Sequence, residues 1–399
     1  MRPEIELLLD CARSCRNAER VTRITERIQA GPDWPVVFSL ARQHRLTPLL
    51  GWQLQLVSSE SIPCQVLDQL KSECQASAQR NLLLASELLQ LLAAFQQIGV
   101  EAMPLKGAVL AYSAYGNLSL RQFIDLDIVI HPAEVLRAKA ALIARGYCPT
   151  IGLNAQREQA HLQSENHTYN FLHPDSHVAV EVHWAISQRQ YSFPLVTEVL
   201  LRERQSVPFF GRPVLAPAPE LMLLVLCAHG SRHYWERLIW VCDVAELIRS
   251  QPQLNWERVW ENAGLLRSKR MLLTGLVLAQ RLLGTSLQLA MVKRIEADRA
   301  AQALATKVEH WLFLDAPGWW VTLQKRLFIM QVREHWRDRF AYFRHLLVWS
   351  ITPNELDQSF LPLPGACSVL YYLLRPVRLL AKGLGFTRKM HAGTTNATR

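Results

Sequence analysis

The feature of this sequence that most constrains its fold is a change in the spacing of its apolar residues. In residues 1–97, and again after Pro217, apolar side chains recur every three or four positions, which is the spacing of a helix with one buried face. Between Val100 and about Phe210 the apolar residues form short runs instead, and some of these runs alternate with polar residues. Since alternation places every second side chain on one face of a strand, the middle region predicts a β-sheet between two helical regions.

The order of elements in the middle region indicates the kind of sheet. Four segments predict, in order, a strand, a helix, a strand and a helix: VEAMPL (100–105), KGAVLAYSAYG (106–116), DLDIVI (125–130) and PAEVLRAKAALIARG (132–146). HTYNFL (167–172) and HVAVEVHWAI (177–186) then predict a hairpin with PDS as its turn. This order is typical of a small mixed sheet with helices against it. We therefore predict an α+β fold in which a small mixed β-sheet core is flanked by N- and C-terminal helical regions.

The same changes of pattern divide the chain into regions. With 399 residues, half of them hydrophobic, the chain can bury a large core, and a prior of about 150 residues per domain suggests two or three domains. We predict an N-terminal helical region at 1–97, the mixed core at 98–215, a C-terminal helical domain at 216–350 and a basic tail with an amphipathic helix at 351–399.

Three carboxylates in the middle region predict a metal site. Asp125 and Asp127 share one face of the DLDIVI strand, roughly 7 Å apart at a rise of about 3.3 Å per residue, and they repel each other unless a cation lies between them. Glu181 points away from the valine face of the second alternating strand, so pairing of the two strands would bring it to the same surface. Three carboxylates suit one or two Mg²⁺ ions shared with substrate phosphates, and Mn²⁺ is a possible substitute. Alternatively, the two aspartates cap a turn or face solvent.

The sequence motifs of several other common active sites and binding sites are absent. It contains no GxxxxGK[ST] P-loop, no GxGxxG dinucleotide turn, no GxSxG nucleophile elbow and no paired CxxC motif. The lack of a P-loop removes the commonest alternative site for a triphosphate.

The segment MPLKGAVLAYSAYGNLSLRQFIDLDIVI resembles the core of the polymerase-β-type nucleotidyltransferase superfamily, in which a glycine turn leads into a helix and a later strand carries Asp-hydrophobic-Asp. The fuller pattern is similar to a bacterial group of nucleotidyltransferase family proteins. The matching positions are Lys106, Gly107, Arg121, Asp125, Asp127, Glu181, His183, Trp184, His229, His233 and Trp235. The likeness covers most of the chain, including ARQHRLTPLL (41–50) and LLRPVRLL (373–380).

The resemblance implies catalytic roles for the three carboxylates. Asp125 and Asp127 would ligate the metal that bridges the triphosphate. Glu181 would complete the metal site, and it is a candidate acceptor for the proton of the attacking hydroxyl.

The resemblance also implies that Lys106, Gly107 and Arg121 bind phosphate. Gly107 would let the backbone approach the phosphates at the start of a helix, whose N–H groups favour an anion. This sequence departs from the superfamily at Ala108, where a serine is usual, so one phosphate hydrogen bond is absent. Lys106 could replace it with a point charge and Arg121 with bidentate contacts. Alternatively, both are ordinary surface cations.

Three histidines are candidates for lining the cleft. His183 lies two residues beyond Glu181 on the same strand face, although a hydrogen-bonded structural role is equally compatible with that position. His229 and His233 share a helix face at i and i+4, but the residues between them lack the glutamate of the HExxH zinc motif. We expect them to face the nucleotide or the acceptor, and Asp243 is a candidate support.

Most of the overall charge of +10 lies near the C-terminus, where residues 325–399 contain 12 Lys/Arg against 4 Asp/Glu. Such a stretch could contact nucleic acid, an anionic membrane surface or an acidic partner. The helical spacing of the aromatic residues in HWRDRFAYFRHLLVW (335–349) favours a packed helix with a basic outer face.

The sequence also predicts a location and a function. The N-terminus lacks the basic region of a signal peptide, no apolar run reaches the 18 or so residues of a membrane span, and eight scattered cysteines suit a reducing environment. We therefore expect a cytoplasmic protein, and a peripheral location at the membrane stays open. The predicted function is Mg²⁺-dependent transfer of a nucleoside monophosphate from an NTP to an acceptor hydroxyl on a protein, a sugar or other small molecule, or a nucleic-acid end. The alternative is a non-catalytic nucleotide- or partner-binding module on the same fold, which would have less use for three carboxylates.

Overall fold

The computed structural model describes residues 2–57, 61–152, 155–163, 167–186, 193–314, 318–353, 357, 361 and 365–383. The chain forms two compact units, Met1–Phe313 and Leu314–Arg399. The finer division into four regions stays a prediction. The part of the basic tail after residue 383 lies outside the described residues.

The N-terminal region is helical, as the apolar spacing predicted. Its helices are α1 (Pro3–Cys11), α2 (Ala18–Gln29), α3 (Trp34–Gln43), α4 (Thr47–Leu54) and α5 (Cys64–Gln97). Helix α5 contributes Leu84, Leu88 and Phe95 to the same apolar core as the sheet. Its buried Asn81 also donates hydrogen bonds of 2.8 and 3.0 Å to the carbonyl groups of Leu118 and Arg121. The long helix therefore anchors the loop that enters the second strand.

The sheet confirms the predicted α+β class. Its strands are β1 (Ala102–Pro104), β2 (Asp125–Ile130), β3 (Cys148–Pro149), β4 (Thr168–Leu172) and β5 (Ala179–His183). They are arranged in the order β1-β2-β5-β4-β3, with β2 and β5 parallel and the other pairs antiparallel. The predicted hairpin is the β4–β5 pair. One face of β5 is fully buried through Val180 and Val182, which leaves Glu181 on the opposite face.

Two helices connect the strands, at the positions that the sequence predicted. Helix α6 (Gly107–Tyr115) follows β1 and ends at Gly116, which has a positive φ of 71°. Helix α7 (Val135–Ala144) follows β2 after one 3₁₀ turn and is succeeded by Gly146. Together with helix α8 (Ala155–Gln163) before β4, these elements keep the connections short.

A second, smaller sheet was not predicted. Helix α9 (Thr197–Arg202) is followed by the hairpin of β6 (Arg204–Phe209) and β7 (Arg212–Pro217). Its strands contain prolines, which normally argue against a strand because proline donates no ladder hydrogen bond. The two-residue turn, Phe210 and Gly211, has positive φ at both positions, the geometry of a tight hairpin.

The rest of the first unit is helical, which confirms the prediction for the region after Pro217. Its helices are α10 (Pro219–Arg232), α11 (Leu238–Ser250), α12 (Trp256–Leu265), α13 (Lys269–Leu283), α14 (Leu289–Ala297) and α15 (Arg299–Leu312). Helix α11 packs against α6, and α10 packs against α11 and α13. The helical region is thereby built onto the first helix of the sheet core.

The second unit contains α16 (Trp319–Gln331), α17 (Trp336–Ile351) and α18 (Tyr371–Gly383). The expectation that the aromatic face of 335–349 is packed is wrong. Trp336, Phe340 and Phe343 are at least half exposed, because the helix turns a different side, which includes Tyr342, inward. Among the described residues, no helix is both long enough and apolar enough to cross a membrane.

Candidate active site

The best-defined polar cluster in the first unit joins β2 and β5. Asp127 and Glu181 are direct partners in the parallel ladder, and His183 follows Glu181 on the same strand face. His183 Nε2 lies 2.9 Å from Asp127 Oδ1 and 3.4 Å from Glu181 Oε2. One ligand atom from each of the three residues lies within 4.8 Å of the others, the only such group of acidic, histidine or cysteine residues in the described chain. Asp127 and His183 are buried, whereas the Glu181 side chain is 34% exposed.

Asp125 is on the same strand face but outside this group. It is half-buried and pairs with Ala179 in the ladder, two residue pairs before the Asp127–Glu181 pair. Burial and then the neighbouring charge of Asp127 raise its pKa above the usual value for an aspartate. The group of potential ligands whose atoms lie within 4.8 Å of one another therefore contains Asp127, Glu181 and His183 but not Asp125. The predicted trio of carboxylates stays a prediction.

Lys106 balances the charge of Asp127. The N–H of Leu105 donates to the carbonyl oxygen of Asp127 at 3.0 Å, which extends the β1–β2 ladder and sets the following residue beside the aspartate. Lys106 Nζ lies 3.2 Å from Asp127 Oδ2. Burial acts to raise the pKa of Asp127, but Lys106 and the hydrogen bond from His183 outweigh burial and hold the pKa far below its usual range. Asp127 is therefore ionised, and His183 Nε2 is the donor to it.

The turn after Lys106 begins helix α6. Gly107 has a φ of +57°, a conformation that side chains disfavour, so a glycine is required at this first helical position. The free N–H groups at the start of α6 therefore lie in the same turn as Lys106. This arrangement matches the glycine turn expected from the sequence.

His229 and His233 lie at the end of α10. His229 Nδ1 is 3.5 Å from Lys106 Nζ, and the two imidazole rings are 4.7 Å apart, with Trp240 contacting both. Burial, followed by the nearby cations, lowers the pKa of His229 well below its usual value and that of His233 to about 3. Both rings are neutral at physiological pH. Within the described chain they do not join a metal-binding group, and the contact of His229 with Lys106 is the feature that connects the pair to the carboxylates.

Arg121 is part of a buried ion pair. Its Nε and Nη2 donate to the two oxygens of Asp243 at 2.6 and 2.8 Å, and the Tyr115 hydroxyl donates to the same carboxylate at 2.8 Å. Arg121 and Asp243 are 7% and 1% exposed. The bidentate side of the guanidinium, which the sequence assigned to phosphate, is occupied by Asp243. The ion pair ties the loop before β2 to α11.

The comparison with protein families decides the classification. The model of a family described as "Uncharacterised nucleotidyltransferase" matches residues 30–284. The chain belongs to this family. No curated protein and no solved structure gave a significant match. The match spans both sheets and all the site residues above, so the predicted resemblance to nucleotidyltransferases is confirmed.

The donor set fits a divalent cation, as expected for a nucleotidyltransferase. Two carboxylates supply the oxygen ligands that Mg²⁺ prefers, and an imidazole is a better ligand for Mn²⁺ or Zn²⁺ than for Mg²⁺. His183 Nδ1 is buried and has no hydrogen-bond partner among the described protein atoms. Since Nε2 donates to the ionised Asp127, this nitrogen would have to lose its proton before it could hold a cation.

Two residues beside this cluster were not predicted from the sequence. His167 is buried on the edge of β4, with its ring centroid 6.0 Å from that of His183. Arg232 lies between His229 and His233 in sequence and contacts His167. One sequence feature could have indicated His167: it is the first residue of the alternating segment HTYNFL, and the strand of that segment pairs with the strand of His183.

Proposed function

We propose that the protein transfers a nucleoside monophosphate from an NTP to an acceptor hydroxyl and releases pyrophosphate. The observation that supports this most directly is the convergence of Asp127 and Glu181 from adjacent strands beside the Lys106–Gly107 turn. The acceptor class stays open among a protein side chain, a sugar or other small molecule, and a nucleic-acid end. The proposal includes a cytoplasmic location, where NTPs are held and cysteines stay reduced.

The proposed roles of the carboxylates are to accept a proton and to hold a metal ion. In the reaction, the acceptor oxygen forms a bond to the α-phosphorus, the bond from that phosphorus to the bridging oxygen breaks, and pyrophosphate leaves with that electron pair. Glu181 is the more exposed of the two ladder carboxylates, so it is the proposed acceptor for the hydroxyl proton. A divalent cation, Mg²⁺ or Mn²⁺, held by Asp127, Glu181 and His183 with Asp125 at the edge, would neutralise charge on the phosphoryl oxygens.

The turn before α6 is the proposed phosphate cradle. Its N–H groups and the Lys106 ammonium provide donors for the phosphates on the same side as Asp127. Ala108 has no hydroxyl, so Lys106 carries more of this binding than it would beside a serine. Arg121 would act indirectly, by holding the loop that leads into β2.

The experiment is incubation with each α-³²P-labelled NTP and Mg²⁺ or Mn²⁺, followed by separation of protein, small-molecule and nucleic-acid fractions. We expect label transfer by the wild type and a loss of at least about 100-fold in the Asp127→Asn and Glu181→Gln variants. Glu257→Gln, at a side chain of helix α12 that is 65% exposed, serves as the matched control and should transfer label normally. Transfer that persists in Asp127→Asn would refute the site assignment.

A specific observation supports the alternative of a non-catalytic binding module. Asp127 already has Lys106 and His183 as partners, so the carboxylate does not need a metal to be stably buried. If this alternative holds, NTP will bind with equal affinity in EDTA and in Mg²⁺, and no label will be transferred. Catalysis instead requires metal-dependent binding and transfer together.

A further inference from the structure

We propose that the second unit binds an anionic membrane surface through helices α17 and α18. The starting observation is where the exposed large apolar side chains of the described chain lie. Sixteen of them belong to the second unit and twelve to the first, although the first unit is much the longer of the two. Such a concentration of exposed apolar surface is typical of a region that binds a membrane or another macromolecule.

Helix α17 carries a row of apolar side chains on its outer face. Four of them recur at intervals of four, three and four residues, and they are between 50% and 70% exposed: Trp336, Phe340, Phe343 and Leu347. At this spacing all four lie along one side of the helix, and we call them the apolar stripe. On the opposite side Tyr342 is buried, with the guanidinium of Arg333 4.3 Å from the centre of its ring. Helix α17 therefore packs through the face that the stripe does not occupy.

Helix α18 has the same arrangement of an exposed apolar face and a buried polar anchor. Leu373 and Val377 are one turn apart and are 71% and 64% exposed. On the other side of the helix, Arg375 Nη1 lies 2.9 Å from Asp357 Oδ2 in a buried ion pair. Arg375 Nε also donates to the carbonyl oxygen of Trp349 at 2.9 Å, which joins α18 to the end of α17. The ion pair thus holds the inner face of α18 and leaves the aliphatic side chains outside.

Arginines border the apolar stripe on both sides. At about 100° per residue, Arg337 and Arg344, which each directly follow a stripe residue, lie on one side of the stripe, and Arg339 lies on the other. All three side chains are exposed, and the guanidinium of Arg337 is 5.6 Å from the centre of the Trp336 ring. Asp338 is the single acidic residue in the sequence of α17, and its position is on the side away from the stripe. The border of the stripe is therefore cationic.

An anionic bilayer complements both parts of this surface. Its acyl chains take up apolar side chains, and its headgroups supply negative charge beside them. A helix that lies in the interface places its apolar face at the boundary between headgroups and acyl chains, while the long arginine side chains keep their charged ends at the level of the headgroups. Each arginine near such a surface adds to the attraction, which salt weakens.

Other occupants match this surface less well. A symmetric pair of chains would place the same patch on both sides of the interface, so arginines that border one stripe would approach those that border the other, and like charges repel. Single-stranded nucleic acid binds to a basic surface by stacking its bases on aromatic rings. Leu347, Leu373 and Val377 are aliphatic and offer no ring for stacking, whereas acyl chains contact aromatic and aliphatic side chains alike.

Flotation of the full chain with vesicles tests this proposal. The vesicles contain neutral phosphatidylcholine, with or without anionic phosphatidylglycerol. We expect the wild type to float with the anionic vesicles and not with the neutral ones, and added salt should reduce the floating fraction.

Two double variants separate the apolar and the charged contributions. Phe340→Gln plus Leu347→Gln removes two apolar side chains without changing the charge, and it should lower the partition coefficient by about 10–100-fold. Arg337→Gln plus Arg344→Gln should lower it by about tenfold or more at low salt and by less at high salt.

Leu265→Gln plus Leu289→Gln is the matched control for the apolar variant. These side chains are 78% and 67% exposed and belong to α12 and α14, so the control should float like the wild type. All the substituted side chains are exposed, and circular dichroism with thermal unfolding establishes that each variant is folded.

Four results would overturn membrane binding by this surface. The first is equal flotation of the apolar variant and its control, and the second is equal flotation of the wild type with neutral and anionic vesicles. The third is a wild-type dimer in size-exclusion chromatography that only the apolar variant disrupts, which would assign the stripe to a second copy of the chain. The fourth is binding to a single-stranded oligonucleotide with no binding to vesicles. Flotation requires no nucleotide, so this proposal and the proposed transfer reaction can fail independently.

Discussion

Asp127 and Glu181 lie directly opposite each other in the parallel ladder between β2 and β5. Their positions are fixed by backbone hydrogen bonds, so the carboxylates meet because of strand register and not because of loop conformation. A neutral isostere at either position should therefore change the charge of the site with little effect on the strands.

Metal affinity should depend more on Asp127 than on Asp125. Asp127 lies within the group of potential ligands and Asp125 lies outside it. We expect Asp127→Asn to weaken Mn²⁺ binding by about 100-fold or more and Asp125→Asn by about tenfold, as for a ligand compared with an outer-shell residue. Electron paramagnetic resonance titration of free Mn²⁺ measures both. An equal loss of Mn²⁺ affinity in the two variants would show that Asp125 is a metal ligand like Asp127.

Metal preference should depend on His183. If its imidazole is a ligand, replacing it with Asn removes a nitrogen that favours Mn²⁺ over Mg²⁺. We expect His183→Asn to lower Mn²⁺ affinity by about 10–100-fold and to reduce the ratio of Mn²⁺ to Mg²⁺ affinity. Competition of Mg²⁺ against bound Mn²⁺ gives that ratio. An unchanged ratio with weakened binding of both ions would show that His183 only positions Asp127.

Fold stability should depend on the Arg121–Asp243 pair. Removing Asp243 leaves a buried guanidinium without its carboxylate, so Asp243→Ala should cost about 3–5 kcal/mol of unfolding free energy. Tyr115→Phe, which removes one hydrogen bond to the same carboxylate, should cost about 1–3 kcal/mol. Urea denaturation measures both. The double variant Arg121→Met plus Asp243→Leu should be less destabilised than Asp243→Ala, and an additive loss would contradict the ion pair as the cause.

Stability should fall in mild acid partly because of His44. This side chain is fully buried, and Nδ1 accepts a hydrogen bond from the Leu238 N–H at 3.2 Å. Burial and then Arg237 lower its pKa to about 4. The unfolded chain binds a proton near pH 6.5 while the folded chain does not, so this contribution is present above pH 6.5 and is lost as the pH falls towards 4.

Protonation of His44 should lower the free energy of unfolding by about 2 kcal/mol between pH 7 and pH 5, at about 1.36 kcal/mol per pH unit below the pKa of this histidine in the unfolded chain. His44→Asn keeps an acceptor for Leu238 but does not titrate. Urea denaturation at the two pH values should show a smaller acid loss for this variant than for the wild type. An identical loss would assign the acid sensitivity to other buried histidines.

Packing around Trp235 should not tolerate a methyl group at Gly230 or Gly275. A Cβ at Gly230 would lie 2.5 Å from the Trp235 ring, and one at Gly275 would lie 2.7 Å from Cys227 Sγ. Each substitution to alanine should cost about 1–3 kcal/mol through overpacking. Gly152→Ala, where no atom lies within 4 Å, is the control and should unfold like the wild type in thermal denaturation.

The sequence determined the local structure of the site. The alternation around Glu181 specified which face the carboxylate occupies, and the DLDIVI run specified a strand that carries Asp125 and Asp127 on one face. The Lys106–Gly107 pair marked the start of α6. Gly107 stands where the strand pattern ends and the helical pattern begins, and its positive φ is a local backbone conformation that favours glycine. These features depend on interactions between residues that are close in the sequence, so the spacing of apolar and polar residues is enough to predict them.

Tertiary structure alone decided which side chains meet. His183 forms a hydrogen bond with Asp127, which is 56 residues away in the sequence, and Asp243 forms an ion pair with Arg121, which is 122 residues away. Neither partner is marked by spacing, since the choice depends on strand register and on the packing of α11 against α6. The exposure of Trp336 and Phe340 was decided in the same way, because a helical repeat shows that one face is apolar but does not show whether anything covers it.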